Sequence, residues 1–411
     1  MAYQAVNHQA SGAALGIYAK FSSTLDSKGK NIVWAVDHET GETIPGELAG
    51  GRFNTLYDPP KVRAERFALQ SVVRDILPKS RTAKCYRWRL PKKPTEVMRS
   101  HETGSTFYRG LQVCSSVWLC PVCSAKISER RRAELLAAIE AHRAAGGVVV
   151  LVTLTNPHYI GQGLETLLKR QQRAFDFFKS GRPARSLRDS FGLVGFIRSL
   201  EVTHGQNGWH PHYHELWFLK SQVDLLAMQK AVFDLWASSC VKAGLGLPSE
   251  QHGVTVQDGS WAAAYASKWG LESEMTKWHA KKGNGSQTPF DFLRAVFRDG
   301  HEKSAALFRE YAEAFHGKKQ LVWSNGLKAR FGIGDLNDEE IAAREDQTAV
   351  ALGQISSDQW RLVLAVDGRA TVLELARHGW DVVQAYLTGL AERIDVTKLA
   401  SNGVISESLN E

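Results

Sequence analysis

The chain has 411 residues, enough for two or three domains, and its 43% hydrophobic and 23% charged content is that of a soluble globular protein. The longest aliphatic run, around GGVVVLVTL, is too short to span a bilayer, and the start MAYQAVNHQASG lacks a charged segment followed by an apolar one. A cytoplasmic protein without membrane partners is therefore expected. The net charge of +8 hides a division: seventeen Lys and Arg face five Asp and Glu between Lys61 and Arg132, whereas six face fourteen from Gly334 to Glu411.

In chain order, residues 1–60 are Gly- and Ser-rich with weak periodicity and read as an N-terminal arm ending at the break YDPPK. Residues 61–132 form a basic segment whose aromatics (Tyr86, Trp88, Phe107, Tyr108, Trp118) suit a polyanion with unstacked bases. SERRRAELLAAIEAHRAAGG, which straddles its end, is a helix with Ser128 as its expected N-cap and a Gly-Gly stop. Residues 133–285 then alternate. VVVLVTLT is a buried strand and LETLLKRQQRAFDFFKS a helix. GLVGFIRSLEVTHG and HPHYHELWFL are two strands about the turn GQNG. QVDLLAMQKAVFDLWASSCVKAG is an amphipathic helix, GVTVQ a short strand, and SWAAAYASKWG a helix opened by Ser260 and closed by Gly270. The order predicts an α+β fold, an antiparallel sheet with flanking helices. Residues 286–340 read as a helical, basic extension containing GKKQLVWSNGLKARFG, and 341–411 as an acidic helical tail.

Five cysteines, an odd number with three clustered, favour metal ligation over disulfides in a reducing compartment. CSSVWLCPVCSAK supplies Cys114, Cys120 and Cys123 with the Pro of a zinc knuckle, and Cys85 is the natural fourth thiolate of a closed, structural Zn²⁺ site. Cys240, on an amphipathic helix, reads as a core residue.

On a strand, His210, His212 and His214 project one way, and Trp209, Tyr213 and Trp217 the other. A turn on Gln206-Asn207 places Glu201 opposite His212, and a turn on Asn207-Gly208 places it opposite His214; either way it lies on the histidine face. His212, His214 and Glu201 make a site for a catalytic divalent cation, Mn²⁺ or Mg²⁺. His210, followed by Pro211, reads as a strand-entry residue, with a supporting place behind the metal ligands as the alternative. In AAAYASKWG, Tyr265 and Lys268 sit at i and i+3 on one helix face.

With these pieces in this order, residues 80–275 resemble the HUH endonucleases, and specifically the rolling-circle replication initiators of bacterial plasmids. VLVTLT looks like their first motif, HPHYHELWF like their His-hydrophobic-His motif, and YASK like their tyrosine motif. The resemblance implies that Tyr265 attacks a phosphodiester of single-stranded origin DNA, forming a 5′-phosphotyrosine and freeing a 3′-hydroxyl. It also implies a cation on Glu201, His212 and His214 that polarises the phosphate, with Lys268 orienting it or offsetting charge. No G-x-x-x-x-G-K-[ST] loop is present in the sequence, so the helicase, like the polymerase, would come from the host.

One position departs from the pattern. Relatives of this type often carry a Glu one turn before the tyrosine, where this chain has Trp261. Asp258, Glu272 or Glu274 would serve instead, or termination runs differently. A transposase or conjugative relaxase is the neighbouring alternative, although relaxases usually place the tyrosine before the histidines. A non-catalytic, zinc-stabilised nucleic-acid-binding protein is the alternative from another class.

Overall fold

The computed structural model describes residues 59–267 and 286–394, apart from 102, 344, 345 and 347, together with the backbone of four earlier strands. Those strands, β1 (Ser22–Leu25), β2 (Asn31–Val36), β3 (Thr43–Ala49) and β4 (Arg52–Thr55), pair in sequence order as an antiparallel meander. The chain divides into two compact units, one built from residues 1–114 and 342–411, the other from 115–341.

The first unit continues with α1 (Pro59–Ile76), α2 (Arg81–Lys84), β5 (Thr95–Arg99) and β6 (Thr106–Arg109). The second opens with α3 (Pro121–Ala144), β7 (Val148–Thr155), α4 (Leu164–Lys179), α5 (Gly181–Ser190), β8 (Leu193–Gly205) and β9 (Gly208–Leu219). It goes on through α6 (Leu225–Lys242), β10 (Val254–Gln257), α7 (Gly259–Ser267), α8 (Pro289–Asp299), α9 (Glu302–Ala314), β11 (Leu321–Trp323) and α10 (Leu327–Arg330). After α11 (Asp338–Ala343) the chain re-enters the first unit as β12 (Val350–Ile355), α12 (Ser357–Ala365), α13 (Arg369–Ala376) and α14 (Trp380–Arg393). The fold is α+β, as the sequence predicts, and no described helix is long and apolar enough to cross a membrane.

The compact units change at 114/115 and again at 341/342. β12 pairs antiparallel with β5, which pairs with β6, so the C-terminal segment completes a sheet begun by the basic segment rather than standing alone. A buried polar knot holds this unit. The fully buried guanidinium of Arg369 donates to Gln70 Oε1 and to Asp367 Oδ1 at 2.7 Å, and Arg87 meets the same carboxylate at 3.3 Å. Burying an arginine without such partners would cost several kcal/mol.

The second unit is organised by a five-stranded antiparallel sheet in the order β10-β7-β9-β8-β11. Strand periodicity separates its faces. Tyr213 and Trp217 turn toward α4 and α6, where Tyr213 stacks obliquely on Phe175 at 5.1 Å and Phe178 meets Trp236 edge-on at 5.8 Å. Leu216 and Phe218, with Val149, Leu151 and Ile197, face the other way and pack under α3 and α7. Each such buried side chain contributes roughly 1.5–3 kcal/mol. β11, inside the segment expected to be helical, closes the sheet by pairing with Ile197–Ser199.

Two helix starts differ from expectation. α3 begins seven residues before Ser128, because Pro121 takes the first turn and the Cys120 side chain accepts from the Cys123 amide; Ser128 is buried mid-helix. α7 is opened by Asp258 rather than Ser260: its Oδ1 accepts from the Ser260 amide at 2.8 Å and the Trp261 amide at 3.4 Å. Its closure at Gly270 lies outside the described residues.

Candidate metal and tyrosine centre

The β8–β9 hairpin turns on Gln206-Asn207, with Gly205 opposite Gly208, which fixes the register of the whole site. Gly208 has φ +83°, a conformation that a β-branched or bulky residue rarely adopts. Of the two registers open in the sequence, this one sets Glu201 opposite His212 and Ser199 opposite His214. β7 supplies Thr155 and Thr153 opposite the same two histidines on the other side.

Along the α3/α7 face of β9, the apolar Phe218 and Leu216 give way to His214, His212 and His210 toward the hairpin tip. Glu201 Oε2 lies 3.7 Å from His212 Nε2 and 3.6 Å from His214 Nε2, and the three ligand atoms fall within 4.8 Å of one another. The remaining ring nitrogens are turned outward from this centre. His214 Nδ1 is 2.9 Å from Thr153 Oγ1, and His212 Nδ1 is 3.3 Å from the His210 carbonyl oxygen. Two imidazoles held by their Nδ1 atoms, with Nε2 facing one carboxylate, are a donor set suited to a divalent cation.

The electrostatics agree. Burial alone would raise the Glu201 carboxyl, but the His214 and His212 imidazoles and a hydrogen bond from Tyr265 outweigh it and hold the group well below the usual carboxylate range. Burial pushes His214 down to about 4 despite the neighbouring Glu201. At neutral pH the imidazole is thus uncharged, the form that ligates metal. His210, lowered to about 3 by burial and by His212 and His158, stacks on His158 with ring centroids 4.5 Å apart; this pairing adds to its expected place at strand entry.

α7 carries the tyrosine to this centre. Ala262 and Ala266 are fully buried in the core and fix the helix on the sheet. Tyr265 is thereby turned so that its hydroxyl donates to Glu201 Oε1 at 2.7 Å and lies 2.5 Å from Ser199 Oγ, while its ring is 4.9 Å from that of His214. The structure therefore brings together four residues singled out in the sequence, Glu201, His212, His214 and Tyr265. It adds two that sequence reasoning missed, Ser199 and Thr153. Both were accessible through period two: Ser199 stands two residues before Glu201, and Thr153 alternates with Thr155 in VLVTLT.

Lys268, Glu272 and Glu274 lie outside the described residues. Asp258 is occupied in capping α7, and Trp261 stands 56% exposed one turn before Tyr265.

Cys85 ends α2, and its sulfur accepts from the Cys114 amide at 3.4 Å. Cys120 caps α3, and Cys123 lies in the first turn of that helix. All four of these thiols are buried, and thiolates of this kind could bind zinc. Cys240 is buried and its thiol is pushed up to about 12 by desolvation, which suits an inert core residue.

An antiparallel sheet presenting His-x-His and a facing acid, with a tyrosine helix packed over it, defines the class of rolling-circle initiator that the motifs resemble. The model of the replication protein family matches residues 107–371, more than half of the chain, and the chain belongs to that family. It is 26% identical to a "Protein rep" of Streptomyces lividans, with 67% of this chain and 76% of that protein covered. It is also 30% identical to a "Neomycin resistance protein" of Streptomyces cyanogenus over 28% of this chain and 32% of that one. A "Protein rep" of Streptococcus pneumoniae is 30% identical over 25% of this chain and 32% of its own. No solved structure matches.

Proposed function

We propose that this replication initiator nicks and rejoins single-stranded DNA at a plasmid origin through Tyr265, and so starts rolling-circle replication. The observation that carries the reading is the Tyr265 hydroxyl donating to the carboxylate that faces His212 and His214.

A phenol of ordinary pKa near 10 is protonated at neutral pH, so an attacking tyrosine needs its proton held where it can leave. Glu201 Oε1 accepts that proton's hydrogen bond, and Ser199 fixes the hydroxyl from a second direction. As the Tyr265 oxygen bonds to phosphorus, the P–O3′ bond breaks, leaving a 5′-phosphotyrosine and a 3′-hydroxyl for a polymerase. A divalent cation on Glu201, His212 and His214, Mn²⁺ or Mg²⁺, would neutralise charge on the phosphate oxygens when bound. Thr153 keeps His214 oriented for that ion. Because the phosphotyrosine ester retains the energy of the broken bond, attack by a 3′-hydroxyl rejoins the strand without ATP. Lys268 is assigned to the phosphate by its place in the tyrosine motif. Zinc on Cys85, Cys114, Cys120 and Cys123 would have a structural role. The protein acts in the cytoplasm with host helicase and polymerase.

The test is incubation of a labelled origin oligonucleotide with the protein and Mn²⁺, followed by a denaturing gel. A covalent adduct that disappears in Tyr265→Phe, His212→Ala and His214→Ala supports the proposal. Sequence-specific binding without cleavage, across metals, would instead assign the fold to a binding protein.

A further inference from the structure

The rings of the site do not stop at the metal ligands. His158 stacks on His210 at 4.5 Å, His210 lies 5.0 Å from His212, His212 is 4.8 Å from His214, and His214 is 4.9 Å from Tyr265. Each end of this track borders a large exposed aromatic. Tyr159, next to His158, is 62% exposed, and Trp261, one helical turn before Tyr265, is 56% exposed. The spacing i, i+4 puts Trp261 and Tyr265 on one face of α7, beside the stripe buried through Ala262 and Ala266.

Neither exposed ring sits on an unanchored backbone. The Tyr159 amide donates to Gln162 Oε1 at 2.8 Å, and the loop rests on the β8–β9 turn so closely that a Cβ on Gly208 would come 3.2 Å from the Tyr159 carbonyl oxygen. Trp261 belongs to the capped first turn of α7. Two large exposed rings, one at each end of this track, match the surface of an unpaired base, because every base has a π-face. Bases inside a duplex are already stacked on one another and offer no such face.

Resting on the nickase reading, we propose that Tyr159 and Trp261 are stacking platforms for unpaired bases of the strand that is cut, one at each end of the ring track. They position single-stranded substrate without reading its sequence.

The test uses the full chain carrying Tyr265→Phe, so that cleavage does not enter, and fluorescence anisotropy with a labelled dT oligonucleotide of roughly 16 nucleotides, the upper size for one single-strand site. Trp261→Ala and Tyr159→Ala should each weaken binding about 5- to 100-fold, and Trp261→Phe and Tyr159→Phe should restore most of it. The slope of log Kd against log salt should stay unchanged, because no phosphate contact is removed. An oligonucleotide with abasic positions in place of dT should bind the parent chain correspondingly weakly and lose little more on either Ala substitution. This arm makes the test independent of whether the Ala variants fold well. Unchanged dT affinity in both Ala variants, as for rings that serve a protein contact, overturns the proposal. So does a loss accompanied by a shallower salt slope. Adduct formation by the chain with Tyr265 intact, measured in parallel, separates the two readings: adduct without stacking sinks only the platforms, and stacking without adduct sinks only the nickase.

Discussion

Thr153 and Val differ by one hydroxyl exchanged for a methyl, and in this fold that hydroxyl lies 2.9 Å from Nδ1 of His214. In the proposed site a cation on Nε2 would leave the ring proton on Nδ1, which would donate to Thr153 Oγ1 and so fix both tautomer and ring orientation. Thr153→Val keeps the shape and the strand preference of β7 and removes only this restraint. Losing one neutral hydrogen bond costs about 0.5–1.5 kcal/mol of stability. Losing the partner of a metal-bound imidazole costs about 10- to 100-fold in metal affinity, or roughly 1.4–2.7 kcal/mol. Calorimetric Mn²⁺ titration of protein stripped of weakly bound divalent ions, with far-UV circular dichroism as the folding control, separates the two effects. The expected result is a folded protein with weakened Mn²⁺ binding, whose nicking returns toward the parent level at saturating Mn²⁺. A folded variant that binds Mn²⁺ as tightly as the parent would refute the role given to Thr153 in orienting His214 for the ion.

Three further outcomes follow from the same structure. Ser199→Ala removes the hydroxyl 2.5 Å from that of Tyr265, so nicking at saturating metal should fall about tenfold while Mn²⁺ affinity holds. Cys120→Ser should release zinc and lower unfolding stability on the order of 4–5 kcal/mol, whereas His212→Ala should leave zinc content intact; elemental analysis with denaturant melts tells them apart. Burial alone would raise the Asp367 carboxyl, but Arg369, Ser71 and Arg87 hold it below its ordinary value. Its stabilising contribution is therefore present above the unfolded value of about 3.9 and is lost as pH falls through the lower folded one. Urea midpoints should show the advantage of the parent over Asp367→Asn at pH 7 shrinking as the pH drops below about 4.

The site was legible where one period sufficed. Alternation along β9 put His212 and His214 on one face and Trp209, Tyr213 and Trp217 on the other, and a two-residue turn left only two registers for Glu201. Choosing between them needed the glycines that close the hairpin. The order of elements from β7 to α7 followed from the same patterns except for α5, which the sequence reading did not include. What escaped were features set by distant contacts. β11 and β12 are short edge strands whose partners lie more than 100 residues earlier, and nothing local marks such pairing. The start of α3 was hidden because its cap is a cysteine and its first turn is shared with the thiolate group. The roles of Ser199 and Thr153 emerged only once Tyr265 and His214 had been brought beside them.

The most direct measurement is a mass spectrum of the peptide that remains joined to DNA after reaction with a suicide oligonucleotide carrying the origin nick site. A single modified peptide spanning Trp261–Ser267, with the nucleotide mass on Tyr265 as a 5′-phosphodiester, is the predicted result. A linkage on any other residue, or cleavage that leaves both DNA ends free throughout, would contradict the mechanism built on the Tyr265–Glu201 contact.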